Sequence, residues 1–511
     1  MKKQSQQLVF KSYDPNQQML LPPSLEELIE ANHPVRVVSQ VIDQINIEPL
    51  LTHYKPGGTS VYHPRMLLKV LVYGYLSNVY TSRKLEAALK ENINYMWLSG
   101  MNKPDHNTLA RFRSERLKDV LRHIFGQIVE LLIEEGLVSI KNIYTDGTKI
   151  EANANKYSFV WGRAIKTSKE RIAKQLDELW TYTQKVAEDE LADQTRPDFK
   201  EINKEKVIHT IEKIDQALLD KLVDKKVKQK LNYAKKNWPD KLDEYETKET
   251  TLGKRNSFSK TDPDATFMRL KEDHMLNGQL KPAYNWQIST SDQFIVNYSL
   301  HQNPTDTLTL KTHLQQHEDL YGSMPACICA DAGYGSEENY DYLEKQQIDH
   351  YVKYNYFHKE QTRKWREDPF KTANLHYNKE EDKVYCPMGQ PMDRIEDRQR
   401  TTASGFKQQI ARYQARNCQG CSLRSSCHKA KDNRVVEINH NLRRHKERVR
   451  KKLLSAQGLK HRSKRPWDVE ATFGAIKHNR GFRRFMLRGM EKVEIEAGLL
   501  AIAHNIAKKA A

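Results

Sequence analysis

Three acidic residues stand where carboxylates could hold divalent metal ions. Asp146 follows the apolar start of SIKNIYTDGTKIEANAN, Asp331 follows the apolar start of ACICADAGYG, and Glu470 lies in RPWDVEATFGAIK. Mg²⁺ and Mn²⁺ prefer oxygen ligands, and two such ions about 4 Å apart catalyse phosphoryl transfer. An isolated Asp after a strand is usually a turn former, so this interpretation requires that the fold bring the three acids together.

Basic residues surround the third acid. Lys477 lies seven residues after Glu470, which places both on one face of an amphipathic helix predicted to begin near Pro466. Sixteen Lys and Arg stand against three acidic residues between Asn441 and Met490, in a chain of net charge +18. This concentration favours a DNA partner, although a merely solvated basic face is the alternative. The residues predicted to contact DNA in this segment are Lys477, Arg480, Arg483, Arg484 and Arg488.

Four cysteines suggest a second metal site. Cys386 is followed by Cys418, Cys421 and Cys427, which contain one CxxC spacing. Thiolates in this pattern, in a compartment where disulfides are rare, resemble a structural Zn²⁺ ribbon. His428 is an alternative ligand, and unligated thiols are the alternative to zinc. Cys327 and Cys329 alternate on an apolar strand and are most simply core residues.

The residues before the first acid predict an all-α module. PRMLLKVLVYGYL (Pro64–Leu76) is apolar almost all round, so it should form the buried centre. SRKLEAALKEN and DHNTLARFRSER predict two short helices joined by SGMNKPD. This arrangement resembles a helix-turn-helix in which Arg111, Arg113 and Arg116 contact DNA, and two packed helices with solvated arginines are the alternative.

From Ile140 onward the pattern predicts an α/β fold. A strand ends at Asp146, a long charged helical segment interrupts it, and AYNWQIST and QFIVNYSL then form a hairpin. A helix, the strand before Asp331, another helix (SEENYDYLEKQQ) and the strand DHYVKY complete the series. This is the order of a ribonuclease-H-like mixed sheet with helices, interrupted by a helical and a cysteine-rich insertion.

The predicted domains are defined by these changes of pattern. An N-terminal helical, DNA-binding domain covers residues 1–136, and a charged helical insertion covers 161–275. A cysteine-rich, zinc-ribbon-like insertion covers residues 359–434. The ribonuclease-H-like domain is assembled from residues 137–160, 276–358 and 435–511.

Three segments resemble a known family. YTDGTKIEANANKY, CADAGYG and DVEATFGAIKHNRGFRRFMLRG are similar to the catalytic segments of bacterial insertion-sequence DDE transposases that carry an N-terminal helical module. The resemblance implies that Asp146, Asp331 and Glu470 bind two metal ions. Many relatives place Tyr and Arg seven and four residues before the glutamate. This chain has Ser463 and Pro466 there, so Arg462 or Arg465 are the candidates to replace them.

The function that this resemblance implies is DNA transposition. The enzyme would bind the inverted-repeat ends of its element as a homodimer on double-stranded DNA, cleave them, and join each 3′ end to target DNA. The chain contains no apolar run of about 20 residues and no signal peptide, so we expect a cytoplasmic, nucleoid-associated protein. A ribonuclease-H-like nuclease or resolvase that cuts without joining is one alternative, and a non-enzymatic DNA-binding protein is the other.

Overall fold

The computed structural model describes residues 24–52, 54, 61–191, 196–270 and 278–511. Within these ranges no helix combines the length and the apolar character needed to cross a membrane. The architecture is mixed α/β, with two large sheets and helices before, between and after them.

The N-terminal part is helical, as the sequence predicts. Pro64–Leu76 forms one of these helices, and nine of its residues are buried. A third helix, Ile93–Ser99, lies between the two predicted short helices and ends where the predicted turn SGMNKPD begins. The helices are α1 (Pro34–Gln44), α2 (Glu48–Leu51), α3 (Pro64–Leu76), α4 (Ser82–Glu91), α5 (Ile93–Ser99), α6 (His106–Arg111) and α7 (Leu121–Glu134).

The helical insertion lies between two short strands that pair with each other. Its helices enclose their own apolar core, which includes Trp180 and Trp238. The sequence interpretation assigned all of residues 161–275 to this insertion, but residues 257–259 form a strand that pairs with 159–161. The elements are β1 (Asn142–Glu151), β2 (Phe159–Trp161), α8 (Gly162–Val186), α9 (Glu188–Leu191), α10 (Lys204–Ala217), α11 (Lys225–Leu252) and β3 (Ser257–Ser259).

The main sheet has six strands. Its path is β4-β5-β1-β7-β8, and β6 also pairs with β5. β1 is antiparallel to β5 and parallel to β7, and β8 is parallel to β7. The hairpin between β5 and β6 turns at Asp292 and Gln293, one residue later than the predicted turn at Ser291–Asp292. The elements are β4 (Thr266–Arg269), β5 (Leu280–Ser291), β6 (Phe294–His301), α12 (Leu310–Tyr321), β7 (Cys327–Ala330), α13 (Glu337–Lys345) and β8 (Asp349–Val352).

The cysteine-rich insertion forms a second, five-stranded antiparallel sheet. Its order is β13-β12-β11-β10-β9, so each strand pairs with its neighbour along the chain. Val384, Met392 and Tyr413 lie fully buried in its core. The elements are α14 (Arg363–Arg366), β9 (His376–Asn378), β10 (Lys383–Tyr385), β11 (Pro391–Thr401), β12 (Lys407–Ala415), α15 (Arg424–Cys427) and β13 (Val435–Ile438).

The last part of the chain is helical and returns to the main sheet. The helices are α16 (His440–Leu454), α17 (Ala456–Arg465), α18 (Ala471–Gly474) and α19 (Met490–Lys509). Thirteen residues of α19 are buried, from Val493 to Ile506. Apolar side chains of α19, of the N-terminal helices and of the main sheet form one continuous core, so the first and last parts of the chain stabilise the same sheet.

Candidate active site

The sheet places Asp146 and Asp331 side by side. In the parallel pair β1–β7, Thr145 is opposite Ala330, so the next residue on each side is an aspartate. The Oδ1 atom of Asp331 accepts a hydrogen bond from the backbone N–H of Gly333 at 2.6 Å. We predicted that Asp146 ends its strand, and the structure corrects this. β1 continues five residues further to Glu151 because β5 still provides pairing partners.

Asp468 fixes the helical segment that carries Glu470. Its carboxylate is fully buried and accepts hydrogen bonds from the backbone N–H groups of Asp292 and Gln293, each at 2.9 Å. These two residues form the β5–β6 turn and have φ angles of 51° and 66°. Burial raises the pKa of Asp468. The segment is therefore tied to the tip of the hairpin that pairs with β1.

A wide helical turn sets the side chains before Glu470. The sequence predicts a helix that begins near Pro466, but α17 runs directly into Pro466–Glu470, which has π-helical geometry. The N–H of Ala471 bonds to the carbonyl of Pro466, five residues earlier. A π turn brings residues five apart onto one face, and such turns are frequent at functional sites. Arg465 and Glu470 are five residues apart and face each other.

The guanidinium of Arg465 contacts all three acids. Its Nη1 lies 2.7 Å from Oε1 of Glu470, and its Nη2 lies 3.0 Å from Oδ2 of Asp146 and 4.0 Å from Oδ2 of Asp331. Burial lowers the pKa of Arg465, but the three carboxylates more than compensate and raise it overall. A cleft of about 340 Å³ opens at this point. We call it the acid cleft; its walls include the three acids, Arg465, Phe473, Lys477 and His478.

A polar network behind the acid cleft was not predicted from the sequence. Asp306 accepts hydrogen bonds from the side-chain amides of Asn285 at 2.8 Å and Gln287 at 2.9 Å. Tyr334 donates its buried hydroxyl to Gln287. A methyl group on Gly147 would lie 2.7 Å from Oδ1 of Asp306, so the network packs directly against β1. The alternation of polar residues in AYNWQIST was the available signal, because it places Asn285 and Gln287 on one face of β5.

The donor set of the acid cleft is that of a hard divalent cation. Three carboxylates from three separate elements meet around one positive group, and carboxylate oxygens are the ligands that Mg²⁺ and Mn²⁺ take. In the described ranges no group of three or more His, Cys, Asp or Glu side chains has the spacing of a metal site. The acids instead close on Arg465, whose charge offsets part of their repulsion.

The basic residues after Glu470 divide into two groups. Lys477 is nearly buried in the wall of the acid cleft and donates to the carbonyl of Lys149 at 3.3 Å. Arg480 holds two helices together, because its guanidinium reaches the carbonyls of Tyr75 and Leu76 in α3. The three arginines that follow are exposed: Arg483, Arg484 and Arg488.

The N-terminal arginines divide in the same way. Arg111 and Arg116 are exposed, and the guanidinium of Arg116 lies 5.3 Å from the ring centroid of Tyr54. Arg113 was predicted to contact DNA, but it is only 4% exposed. It donates to the hydroxyl of Tyr75 at 3.2 Å and to the carbonyl of Tyr80 at 2.7 Å. Arg113 therefore acts as a core hydrogen-bond donor within the module.

All four candidate zinc ligands line one cavity of about 400 Å³ in the five-stranded-sheet region. We call it the cysteine cavity. Arg434 donates its backbone N–H to Sγ of Cys418 at 3.4 Å and its guanidinium to Sγ of Cys427 at 3.0 Å. Neither ring nitrogen of His428 is accessible or has a hydrogen-bond partner within the described ranges. The residues of the cavity that bear on metal binding are Cys386, Cys418, Cys421, Cys427 and His428.

Two parts of the chain match protein families. Residues 385–510 match the family model described as "Transposase DDE domain", and residues 23–115 match "Transposase domain (DUF772)". The resemblance to insertion-sequence DDE transposases is confirmed. The transposase match at the C-terminal end includes Glu470, Lys477 and the cysteine cavity, whereas Asp146 and Asp331 lie outside both matches. No curated protein and no solved structure matches the chain.

Proposed function

We propose that this chain is a DDE transposase that cuts DNA at the inverted-repeat ends of its insertion sequence and joins the 3′ ends to target DNA. The observation that carries the proposal is the convergence of Asp146, Asp331 and Glu470 on the single guanidinium of Arg465. The side chain of Glu470 is 51% exposed, so the acid cleft is open to a strand of DNA.

The main sheet supports a ribonuclease-H-like domain. Three strands pair in antiparallel hairpin order, β1, β5 and β6, and β7 and β8 add in parallel on the other side of β1. In this topology the first strand is central, so its carboxylate lies beside the end of the next parallel strand. We propose the same division into domains that the sequence predicts, with β3 and β4 moved from the helical insertion to the sheet side.

The three acids would hold two Mg²⁺ or Mn²⁺ ions. Such ions, when bound, activate the attacking oxygen and stabilise the leaving oxygen of a phosphoryl transfer. Asp146, which neighbours Asp331 across the β1–β7 pair and lies 3.0 Å from Nη2 of Arg465, would be one of the ligands of these ions. Lys477, in the wall of the same cleft, is placed to meet a phosphate oxygen of the bound strand.

We propose that DNA binds along the exposed arginines. Arg483, Arg484 and Arg488 extend the positive surface beyond the acid cleft, and Arg111 and Arg116 offer cations on the N-terminal module. Their contacts to phosphate would give affinity that falls steeply with salt concentration. Because two transposon ends must be processed together, we expect a homodimer on DNA, acting in the cytoplasm at the nucleoid.

We also propose that the cysteine cavity binds one structural Zn²⁺ ion. Support comes from four thiols around one cavity and from the imidazole of His428, whose ring nitrogens have no hydrogen-bond partner in the part of the chain that the structure describes. Thiolate and imidazole are the ligands of structural zinc sites. The site would stabilise the loops between β10 and β13 and take no part in the chemistry at the acid cleft.

The decisive experiment uses the full-length protein and DNA from both ends of its element, which the sequence flanking the gene supplies. With pre-cleaved ends and a supercoiled target, the wild type should produce joined strands when Mg²⁺ or Mn²⁺ is added. Glu470→Gln should bind the same DNA with unchanged affinity and form no joined product. Glu491→Gln is the matched control, because that exposed glutamate pairs with Lys118 and lies outside the cleft.

Each alternative function has its own outcome in this experiment. Metal-dependent cleavage without joined product would identify a nuclease or resolvase. Binding without either product in the wild type would identify a DNA-binding protein without catalytic activity. Unchanged joining by Glu470→Gln would show that the acid triad is assigned incorrectly.

A further inference from the structure

We infer that an aromatic strip beside the acid cleft binds unpaired bases of single-stranded DNA. The strip consists of Tyr157, Phe159 and Trp161, which follow β1 and lead into the helical insertion. The inference rests on the proposed function, because it assigns to that function a place for the strand that cleavage and joining leave unpaired.

Two rings of the strip are exposed, Tyr157 in a turn at 69% and Phe159 at the start of β2 at 49%, and Trp161 is half-buried. Phe159 and Trp161 occupy alternate positions of β2 and so lie on the same face, with ring centroids 6.1 Å apart. The ring of Phe267 packs against both rings, and its centroid lies 6.1 Å from that of Phe159 and 5.8 Å from that of Trp161.

Positive charges border the aromatic strip. The Nζ atom of Lys156 lies 4.9 Å from the ring centroid of Tyr157. Arg484 donates to the carbonyls of Ala152 and Ala154, which places its exposed side chain beside the start of the strip. Within the described ranges no carboxylate forms an ion pair with Lys156, Arg484 or Arg488. The border is therefore complementary to a phosphate backbone.

Exposed rings beside cations fit single strands better than duplexes. Bases in a duplex are stacked on each other and offer no free face, whereas an unpaired base can stack on an aromatic ring. Stacking of this kind contributes without regard to sequence, and the adjacent cations hold the backbone. The surplus of positive charge beside the rings is complementary to the phosphates of a nucleic acid.

The strip follows, along the chain, the strand that carries Asp146 of the acid cleft. Asp146 and Glu151 are five residues apart on β1, roughly 17 Å at the usual rise of a strand. Beyond Glu151, backbone hydrogen bonds join this segment to the basic one: Glu151 N to Arg483 O at 3.3 Å, and Phe485 N to Glu151 O at 2.9 Å. A DNA strand that leaves the cleft toward Glu151 and the basic segment would run toward the strip, which begins six residues further along the chain.

The test compares single-stranded and duplex DNA without divalent ions. A fluorescein-labelled 20-nucleotide oligothymidylate and a 20-base-pair duplex are titrated with full-length protein, and anisotropy gives the two affinities. Tyr157→Ala with Phe159→Ala should weaken oligothymidylate binding by at least about 10-fold, since each stacked base contributes about 1–3 kcal/mol. Duplex binding should change less than about 2-fold, and Tyr157→Phe should bind as the wild type.

Two controls keep the result interpretable. Tyr233→Ala removes another tyrosine, 49% exposed and with Lys241 5.1 Å from its ring centroid, and it should bind both probes like the wild type. In the wild type, an oligothymidylate with 5-iodouracil should photocrosslink to the strip and not to Tyr233. Equal losses for both probes, no loss in the double variant, or crosslinks only at other sites would overturn the inference.

Failure of the inference and failure of the proposed function have different results. Glu470→Gln should bind oligothymidylate as the wild type does while it forms no joined product. If the double variant binds normally and the wild type still joins strands, only the aromatic strip is assigned incorrectly. If oligothymidylate binding depends on the strip but the wild type forms no joined product, the proposed function is wrong and the inference about the strip still holds.

Discussion

The acid cleft and the cysteine cavity are two candidate metal sites that the chain assembles differently. The acid cleft draws on residues from Asp146 to Glu470, on two strands and a helical segment. The cysteine cavity draws on four thiols between Cys386 and Cys427, all in one insertion. Each site contains a buried arginine, Arg465 in the first and Arg434 in the second.

The two arginines have different partners in the two sites. Arg465 contacts every acid of its site. Arg434 contacts the sulfur atoms of Cys418 and Cys427, while its guanidinium also donates to the carbonyl of Phe370 at 2.7 Å. Carboxylates repel one another and require a counter-charge, whereas the partners of Arg434 are two sulfur atoms and a main-chain carbonyl. The acid cleft therefore depends on its arginine for charge, and the cysteine cavity depends on its arginine mainly for packing and hydrogen bonds.

The largest expected effect separates the two sites by activity. Asp331→Asn removes one charge from the acid cleft and should lower metal-dependent DNA cleavage by roughly 100-fold or more, the usual result of losing a group that stabilises charge in the transition state. Cys421→Ser, in the other site, should retain most of the activity. Cleavage rates on DNA from the element's ends measure both. Loss of activity in Cys421→Ser with Asp331→Asn unaffected would reverse the assignment of the two sites.

The second prediction compares the two arginines by stability. Arg465→Met removes the guanidinium that the three carboxylates contact, so the free energy of unfolding should fall by about 3–5 kcal/mol. Arg434→Met loses the hydrogen bonds of its guanidinium to Sγ of Cys427 and to the carbonyl of Phe370, and it should cost about 1–3 kcal/mol. Urea denaturation in EDTA measures both variants.

The effect of divalent ions on the melting temperature should also distinguish Arg465 from Arg434. Because Mg²⁺ can take over the counter-charge of Arg465, its addition should raise the melting temperature of Arg465→Met more than that of the wild type. The melting temperature of Arg434→Met should respond to Mg²⁺ as the wild type does. An equal response in all three proteins would mean that Arg465 and the ions do not share the acid cleft.

The third prediction concerns zinc. Elemental analysis of the purified protein should find one Zn²⁺ ion per chain, and Cys418→Ser should reduce that content because a thiolate ligand is lost. Proteolysis should then become faster in the loops between β10 and β13, with cleavage of DNA little changed. Cys329→Ser is the matched control, because that buried cysteine lies on β7 outside the cavity. Wild-type protein without zinc would exclude the metal.

The fourth prediction concerns the dependence of stability on pH. Burial lowers the pKa of four histidines around the main sheet to about 4, against about 6.5 in an unfolded chain. The unfolded state binds more protons between these values, so stability is complete above about pH 6.5 and falls as the pH drops toward 4. The histidines are His301, His317, His350 and His504.

Asp382, in the five-stranded-sheet region, should respond only at lower pH. Burial alone would raise the pKa of Asp382, but hydrogen bonds from Tyr413, Arg394 and Tyr377 lower it to about 2. Its contribution is therefore present above about pH 3.8 and lost as the pH falls toward 2. Hydrogen exchange between pH 7 and pH 4 should show loss of protection around the histidines first. The opposite order would contradict the cited pKa directions.

Local patterns in the sequence predicted most elements near the acid cleft. The apolar runs before Asp146 and Asp331 form β1 and β7, and the polar turn between AYNWQIST and QFIVNYSL forms the hairpin. These elements follow from residue periodicity, which acts over a few residues. The length of β1 did not follow, because its second half exists only through pairing with β5, far along the chain.

Side-chain roles were harder to predict than elements. Arg113 and Arg480 have the same residue type and the same basic neighbourhood as the exposed arginines, yet their guanidinium groups bond to tyrosines or main-chain carbonyls of the N-terminal helices. Nothing in the local sequence distinguishes a solvated arginine from one that ties two helices together. Burial decides the difference, and burial depends on what the rest of the chain packs against that residue.

The sequence by itself determined which residue types the protein has for its chemistry: three acids near predicted strands and a helix, a lysine seven residues beyond Glu470, four clustered cysteines and a strongly basic C-terminal part. Only the tertiary structure decided that Arg465 is the cation that the three acids share. The physical reason is that its placement requires a π turn at Pro466, the anchoring of Asp468 on a distant hairpin and the parallel register of β1 with β7. Each of these depends on contacts between residues more than a hundred positions apart or on a departure from regular helix geometry, and neither is encoded in local periodicity.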